Sequence, residues 1–195
     1  MSRTPTRHNV SLDSLNLSFK SPKSPAQDAC PLTKRLLVIL QHLSNSYASW
    51  NKAHKRGISV CRSIETIKCK SLEKDSHFPD DLKLSCEELE SLLTTLNDAL
   101  IKTRDVKKQI SALAKLDANS QIVLKSWTMK KIEKFVEDVL KAFEEEFRIK
   151  KLVKENIAFS LSHAESIHMS CVWEYQYFVN QEISTGFTIL SAELS

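Results

Sequence analysis

The chain has 195 residues, 42% hydrophobic and 27% charged, with a formal net charge of +4, a size that suits one domain with a sizeable core. Six basic and two acidic residues up to Arg35 account for that charge, and the remainder balances at 22 of each sign; a neutral body argues against a dedicated nucleic-acid surface, which needs a basic face to displace counterions from phosphates. With only two glycines, Gly57 and Gly186, and all five prolines outside the periodic segments, the chain lacks the punctuation of a β-rich fold.

Residues 1–31 are predicted to be a disordered, basic, Ser/Pro-containing tail with too few large apolar residues to offset the entropy of ordering. Leu12, Leu15, Leu17 and Phe19 interrupt it, either as a short docking element or as an amphipathic turn without a role. Three sites in the tail precede proline: Thr4 in Thr4-Pro5-Thr6-Arg7, Ser21 and Ser24. Thr4 carries the full preference of cyclin-dependent kinases, proline next and a basic residue three on, whereas Ser21 and Ser24 have only the proline. All three are candidate phosphorylation sites, and a phosphate adds close to two negative charges to this basic segment. Lys34-Arg35-Leu36-Leu37 resembles a cyclin-docking sequence, although starting the first helix is its simpler role; Ser120-Gln121 fits the minimal site of checkpoint kinases.

The first helix is predicted over 32–72, with Leu36, Leu40, Leu43, Tyr47, Trp50, His54, Gly57, Cys61 and Ile64 at alternating steps of four and three. Gly57 weakens its centre, where a bend or break is expected. After a linker containing Pro79, a second helix spans 85–116, its start marked by Ser85 and Glu88 as a reciprocal capping pair. Its seam runs Cys86, Leu89, Leu93, Leu96, Leu100, Thr103, Val106, Ile110 and Leu113. A third helix, capped by Ser126 or Thr128, spans 128–162, and a short fourth spans 165–182, presenting Ile167, Cys171, Tyr175, Phe178 and Val179. Residues 186–195 form the C-terminal end. The fold class is therefore all-α: an elongated antiparallel helical bundle or coiled coil of three long helices plus a short C-terminal one, joined by short connections. The helical domain covers 32–185.

The stripe of the third helix is unusual. It runs Ile132, Val136, Val139, Phe143, then Glu146 and Lys150, then Val153, Ile157, Leu161 and Ala164, placing two charges where apolar residues belong. On one reading Phe147 takes over the stripe while Lys150 lays its stem along the core and keeps its ammonium in water. On the other the pair is buried and fixes the register of the helix against a partner.

These residues carry a family resemblance. Trp127-Thr128, Phe143, Glu146, Lys150, Val153, Ser170-Cys171-Val172-Trp173-Glu174-Tyr175-Gln176 and Val179, with a looser match from Ala48-Ser49-Trp50-Asn51 through Ile64, resemble the cyclin-dependent kinase 2-interacting protein family. A proline expected after each tryptophan motif is absent, since Thr128 follows Trp127 and Tyr177 follows Gln176, which marks a divergent member. The resemblance implies a non-enzymatic adaptor linking cyclin-dependent kinase with its cyclin, the origin-firing kinase and AAA-type ATPases of the spermatogenesis-associated family to DNA replication, genome maintenance, the damage checkpoint and ribosome maturation. It also implies a nuclear location, with the cytoplasm as a second compartment.

Trp50, Trp127, Phe143, Glu146, Lys150, Trp173 and Gln176 are the candidate partner-binding residues. Each tryptophan is either a core anchor or an interface hot spot, and Trp173 with Gln176 is the favoured hot spot because little chain follows to cover it. No catalytic, cofactor or metal site is expected. His163, His168 and Cys171 offer only two ligands on one helical face, and Glu144, Glu145 and Glu146 point different ways with no nucleophile or phosphate loop beside them. Cys30, Cys61, Cys69, Cys86 and Cys171 are odd in number and lack CxxC spacing, which implies a reducing compartment. The longest aliphatic run, Leu36 to Leu40, is far short of the roughly 20 residues that span a bilayer, and no signal segment is evident. The competing function is a generic coiled-coil structural subunit, kinetochore or cytoskeletal, that homodimerises.

Overall fold

The computed structural model describes residues 31–74, 80–116, 124 and 126–195, and its elements are all helices. The tail, including Thr4, Ser21 and Ser24, lies outside the described residues, as does Ser120-Gln121. Helix α1 spans Pro31–Lys74, α2 Asp80–Leu116, α3 Met129–Asn156, α4 His163–Glu174 and α5 Gln181–Leu194, with a single 3-10 turn over Ile157–Phe159 after α3.

Neighbouring helices run antiparallel. Arg56 of α1 meets Glu88 of α2, and Arg104, Lys107 and Ser111 of α2 meet Glu144, Glu137 and Glu133 of α3 in that descending order. Helices α4 and α5 then follow one another down the groove between α1 and α3: Cys61, His54 and Tyr47 of α1 meet Ser170, Trp173 and Ser184 in turn. The result is an up-down-up-down bundle whose fourth position is filled by two short helices end to end.

Periodicity explains the core. The predicted α2 seam is buried from Leu89 to Leu113, with only Cys86 partly exposed. Thr103, the polar member of that seam, satisfies its hydroxyl by donating to the Ala99 carbonyl at 2.8 Å, the usual solution for a threonine inside a helix. The α1 positions Leu36, Leu40, Leu43, Trp50, Cys61 and Ile64 are buried as the heptad spacing requires.

Four boundaries differ from the sequence-based expectation. Helix α1 continues through Gly57 without a break, because the glycine makes room for a neighbour: a β-carbon there would fall inside the indole of Trp173. Helix α2 starts at Asp80, not Ser85; Asp80 and Asp81 fill its first turn, where carboxylates suit the helix dipole. Ser85 lies inside the helix and donates to the Asp81 carbonyl, while Glu88 reaches across to Arg56. Helix α3 stops at Asn156, short of Ser162. Its last turn tightens to 3-10 geometry, Ser160 leaves in an extended conformation, and Ser162 caps α4 by accepting from the Glu165 amide. The buried stripe therefore ends at Ile157, and Leu161 is 86% exposed.

The fourth difference is the largest. The helix expected over 165–182 stops at Glu174 as α4; residues 175–180 separate it from α5, which runs to Leu194 and so carries the helical domain through 186–195, the stretch expected to be only a C-terminal end. The buried face of α4 is Ser166, Ser170 and Trp173, with Ile167, Cys171 and Tyr175 turned outward, so the expected apolar face holds only at Phe178 and Val179, which pack on the core beyond the end of α4.

Candidate functional site

Six of the seven candidate partner-binding residues converge where the fourth position breaks. Segment 174–180, Glu-Tyr-Gln-Tyr-Phe-Val-Asn, contains neither glycine nor proline, so nothing local forbids a continuous helix. The break comes from tertiary contacts. Tyr175 adopts φ −84° and ψ 109°, and Asn180 restarts a helix by accepting from the amides of Glu182 and Ile183.

The clamp on this corner comes from α3. Glu146 and Lys150 are both 0% exposed and pair at 2.8 Å, so Lys150 does not reach water and the buried alternative holds. The Lys150 ammonium donates to the Trp173 carbonyl near the C-terminal end of α4, where a cation also suits the helix dipole. Glu146 accepts from the Phe178 amide at 3.1 Å. One ion pair thus satisfies a carbonyl before the corner and an amide after it. The register that the pair fixes is that of its own fourth helix position.

Aromatic side chains fill the space around it. Trp50 stacks on Phe143 with ring centroids 4.1 Å apart and donates its indole N–H to the Gln176 side-chain carbonyl at 3.1 Å. Trp173 donates its own N–H to the His54 carbonyl at 3.2 Å, and its ring centroid lies 5.4 Å from the Lys150 ammonium. Trp50, Phe143, Trp173, Glu146 and Lys150 are consequently core groups, and none offers a partner its own surface. Trp173 is the plainest correction: Gly57 and His54 cover it on the α1 side, whereas it was expected to lie open. Trp127 sits elsewhere, buried at the start of α3 against Phe135, ring centroids 5.0 Å apart, beside its Thr128 cap.

Burial sets the ionisation of the cluster. Desolvation, then the nearby Lys150 and Lys55 charges, push His54 down to about 4, so it is neutral near pH 7. The Cys61 thiol is pushed up to about 12 by burial, against the pull of Lys150, which leaves it unreactive. Burial lowers Lys150 as well, and Glu146 opposes that by favouring the charged form.

The surface above this cluster is aromatic. Tyr175 is 70% and Tyr177 64% exposed, with ring centroids 6.4 Å apart, and Tyr177 packs edge-on against Phe178 at 5.1 Å. Tyr177 was not among the residues expected to act. The available signal was Asn180 with Glu182 two residues on, a helix-start pattern within a supposed helix.

The other weighed groups lie apart. His163, His168 and Cys171 are exposed on α4, and no group of metal-binding side chains occurs among the described residues. Glu144 pairs with Arg104 and Glu145 with Arg148, while Glu146 is buried. In Lys34-Arg35-Leu36-Leu37, Leu36 is fully buried within α1, which removes it from any docking role in this conformation. Among the described residues no helix is long and apolar enough to cross a membrane. Neither a protein-family model nor a curated protein matches the chain.

Proposed function

We propose that this protein is a non-catalytic adaptor that displays the Tyr175/Tyr177 corner to protein partners. The observation carrying the reading is that residues scattered from Trp50 to Gln176 spend their polar atoms on holding that corner open. A chain that breaks a helix with no breaking residue, and places two tyrosines outside at the break, has the layout of a recognition element on a rigid scaffold. The residues that hold the corner, though not Tyr177, which stands where the family's proline is expected, carry the family resemblance, and that resemblance supplies the partners: cyclin-dependent kinase with its cyclin, the origin-firing kinase and an AAA-type ATPase assembly. On this reading the setting is the nucleus, in DNA replication, genome maintenance and ribosome maturation.

The homodimerising coiled coil finds less support, because the seams of α1, α2 and α3 face their own bundle. Affinity purification of the tagged full chain from nuclear extract, followed by mass spectrometry, tests the adaptor reading. An AAA-type ATPase or a cyclin-dependent kinase should co-purify, and Tyr175→Ala with Tyr177→Ala should release it without lowering the melting temperature. Recovery of cytoskeletal or kinetochore proteins alone, with a dimeric mass in solution, would overturn it.

A further inference from the structure

The charges of this chain are divided along its length. All 28 lysines and arginines lie at or before Lys154, and the 41 residues that follow carry five glutamates and neither basic residue. The corner at 175–180 and helix α5 belong to that second part, so a lysine or arginine at the corner has to come from another helix or another molecule. The neighbouring helices spend theirs elsewhere. Arg62 of α1 is held by Glu174 at 2.6 Å, and on α3 Lys134, Lys141 and Arg148 turn to Asp138, Glu137 and Glu145. Among the described residues the Glu182 carboxylate, in the first turn of α5, has no cationic partner.

An open hollow of about 570 Å3 lies at the corner, and among the described residues no charged side chain lines it. Its lining includes the exposed rings of Tyr175 and Tyr177, whose centroids are 6.4 Å apart at a tilt of 42°, so neither ring covers the other and each keeps area for an incoming group. Phe178 packs edge-on against Tyr177 and also borders Glu182 in the neighbouring groove, which joins the two rings and the carboxylate into one surface. A tyrosine face is the negative side of the ring quadrupole and attracts a cation. Between the two basic side chains, the planar and weakly hydrated guanidinium stacks on such a face better than a strongly hydrated ammonium does. We infer that the corner recognises an arginine in a basic segment of its partner, the guanidinium lying on Tyr175 and Tyr177 while Glu182 supplies the opposite charge. This rests on the adaptor reading and adds to it the chemistry of the partner's contact residue.

The chain has three tyrosines, and Tyr47, stacked on Phe187 and bonded to Ser184, serves as an internal reference. The test titrates the full chain, carrying carbon-13 in its tyrosine rings, with the peptide acetyl-Gly-Arg-Gly-Arg-Gly-amide and follows the ring resonances by NMR. Those of Tyr175 and Tyr177 should shift and that of Tyr47 should not, with an affinity in the millimolar range set by individually weak contacts. Lysine in place of both arginines should weaken binding about threefold, and citrulline, planar but uncharged, should abolish the shifts. Glu182 is exposed, so Glu182→Gln leaves the core intact and should weaken the arginine peptide about threefold. An equal response to the lysine or citrulline peptide, a stronger one to acetyl-pentaproline-amide, or no response would overturn the inference. So would shifts that appear on concentrating the protein alone, which would make a second copy the occupant, or an affinity that ignores Glu182→Gln. A partner captured from nuclear extract and released by Tyr175→Ala with Tyr177→Ala, alongside a silent titration, would keep the adaptor reading and remove arginine from it. The expected titration with no partner captured would keep the arginine site and remove the adaptor.

Discussion

The indole of Trp173 fills the space that any side chain at position 57 would need. In an isolated helix Gly57→Ala would be stabilising by up to about 1 kcal/mol, but here the new methyl meets a fully buried ring held in place by its hydrogen bond to His54. Gly57→Ala should instead destabilise the protein by about 1–3 kcal/mol, seen as a lower urea midpoint. A raised midpoint would show that the ring moves aside freely.

Trp173→Ala should cost about 3–5 kcal/mol and loosen α4 and α5 together, because one side chain fills the core, covers Gly57 and packs over the Lys150 ammonium. Hydrogen exchange of the α4 and α5 amides measures this directly. Retained protection with lost partner binding would return Trp173 to the status of an interface residue.

Lys150→Met alone should destabilise by about 3–5 kcal/mol, since it strands the Glu146 carboxylate in the core. Adding Glu146→Leu should recover a large part of that loss, so the two changes couple strongly in a double-mutant cycle. Additive effects in chemical denaturation would mean that the pair is not closed in solution.

His54 gives the bundle an acid sensitivity. Its folded value of about 4 lies below its ordinary 6.5, so the unfolded chain takes up the proton first. The stabilisation is complete above about pH 6.5 and is lost as pH falls towards 4, with a slope of at most about 1.4 kcal/mol per pH unit. Melting curves across that window should show His54→Gln with a shallower decline than the natural chain. Parallel declines would place the acid sensitivity elsewhere.

The sequence displayed the four-layer frame through its heptad spacing. Leu89 to Leu113 and Ile132 to Ile157 repeat apolar residues at steps that admit few other arrangements, and burial follows them. It hid the corner at 175–180, because propensity there favours continuation and the break is imposed by Lys150 and Glu146, side chains some thirty residues away. Gly57 misled for the same reason: its cause lies on another helix, where a local rule cannot look. The two charges on the α3 stripe were visible as an anomaly, yet their burial was not, since spacing alone does not separate a snorkelling lysine from an enclosed one.

Filling the fourth bundle position with the segments that follow α3 has a consequence during synthesis. Trp50 leaves the ribosome 126 residues ahead of its acceptor Gln176, and until α4 and α5 emerge the trough between α1 and α3 stands open. Glu146 and Lys150 line that trough, and while it is unroofed they are hydrated ions that interrupt an otherwise greasy channel. Only the arrival of α4 and α5, with the Trp173 carbonyl and the Phe178 amide, turns these two groups into a buried lock.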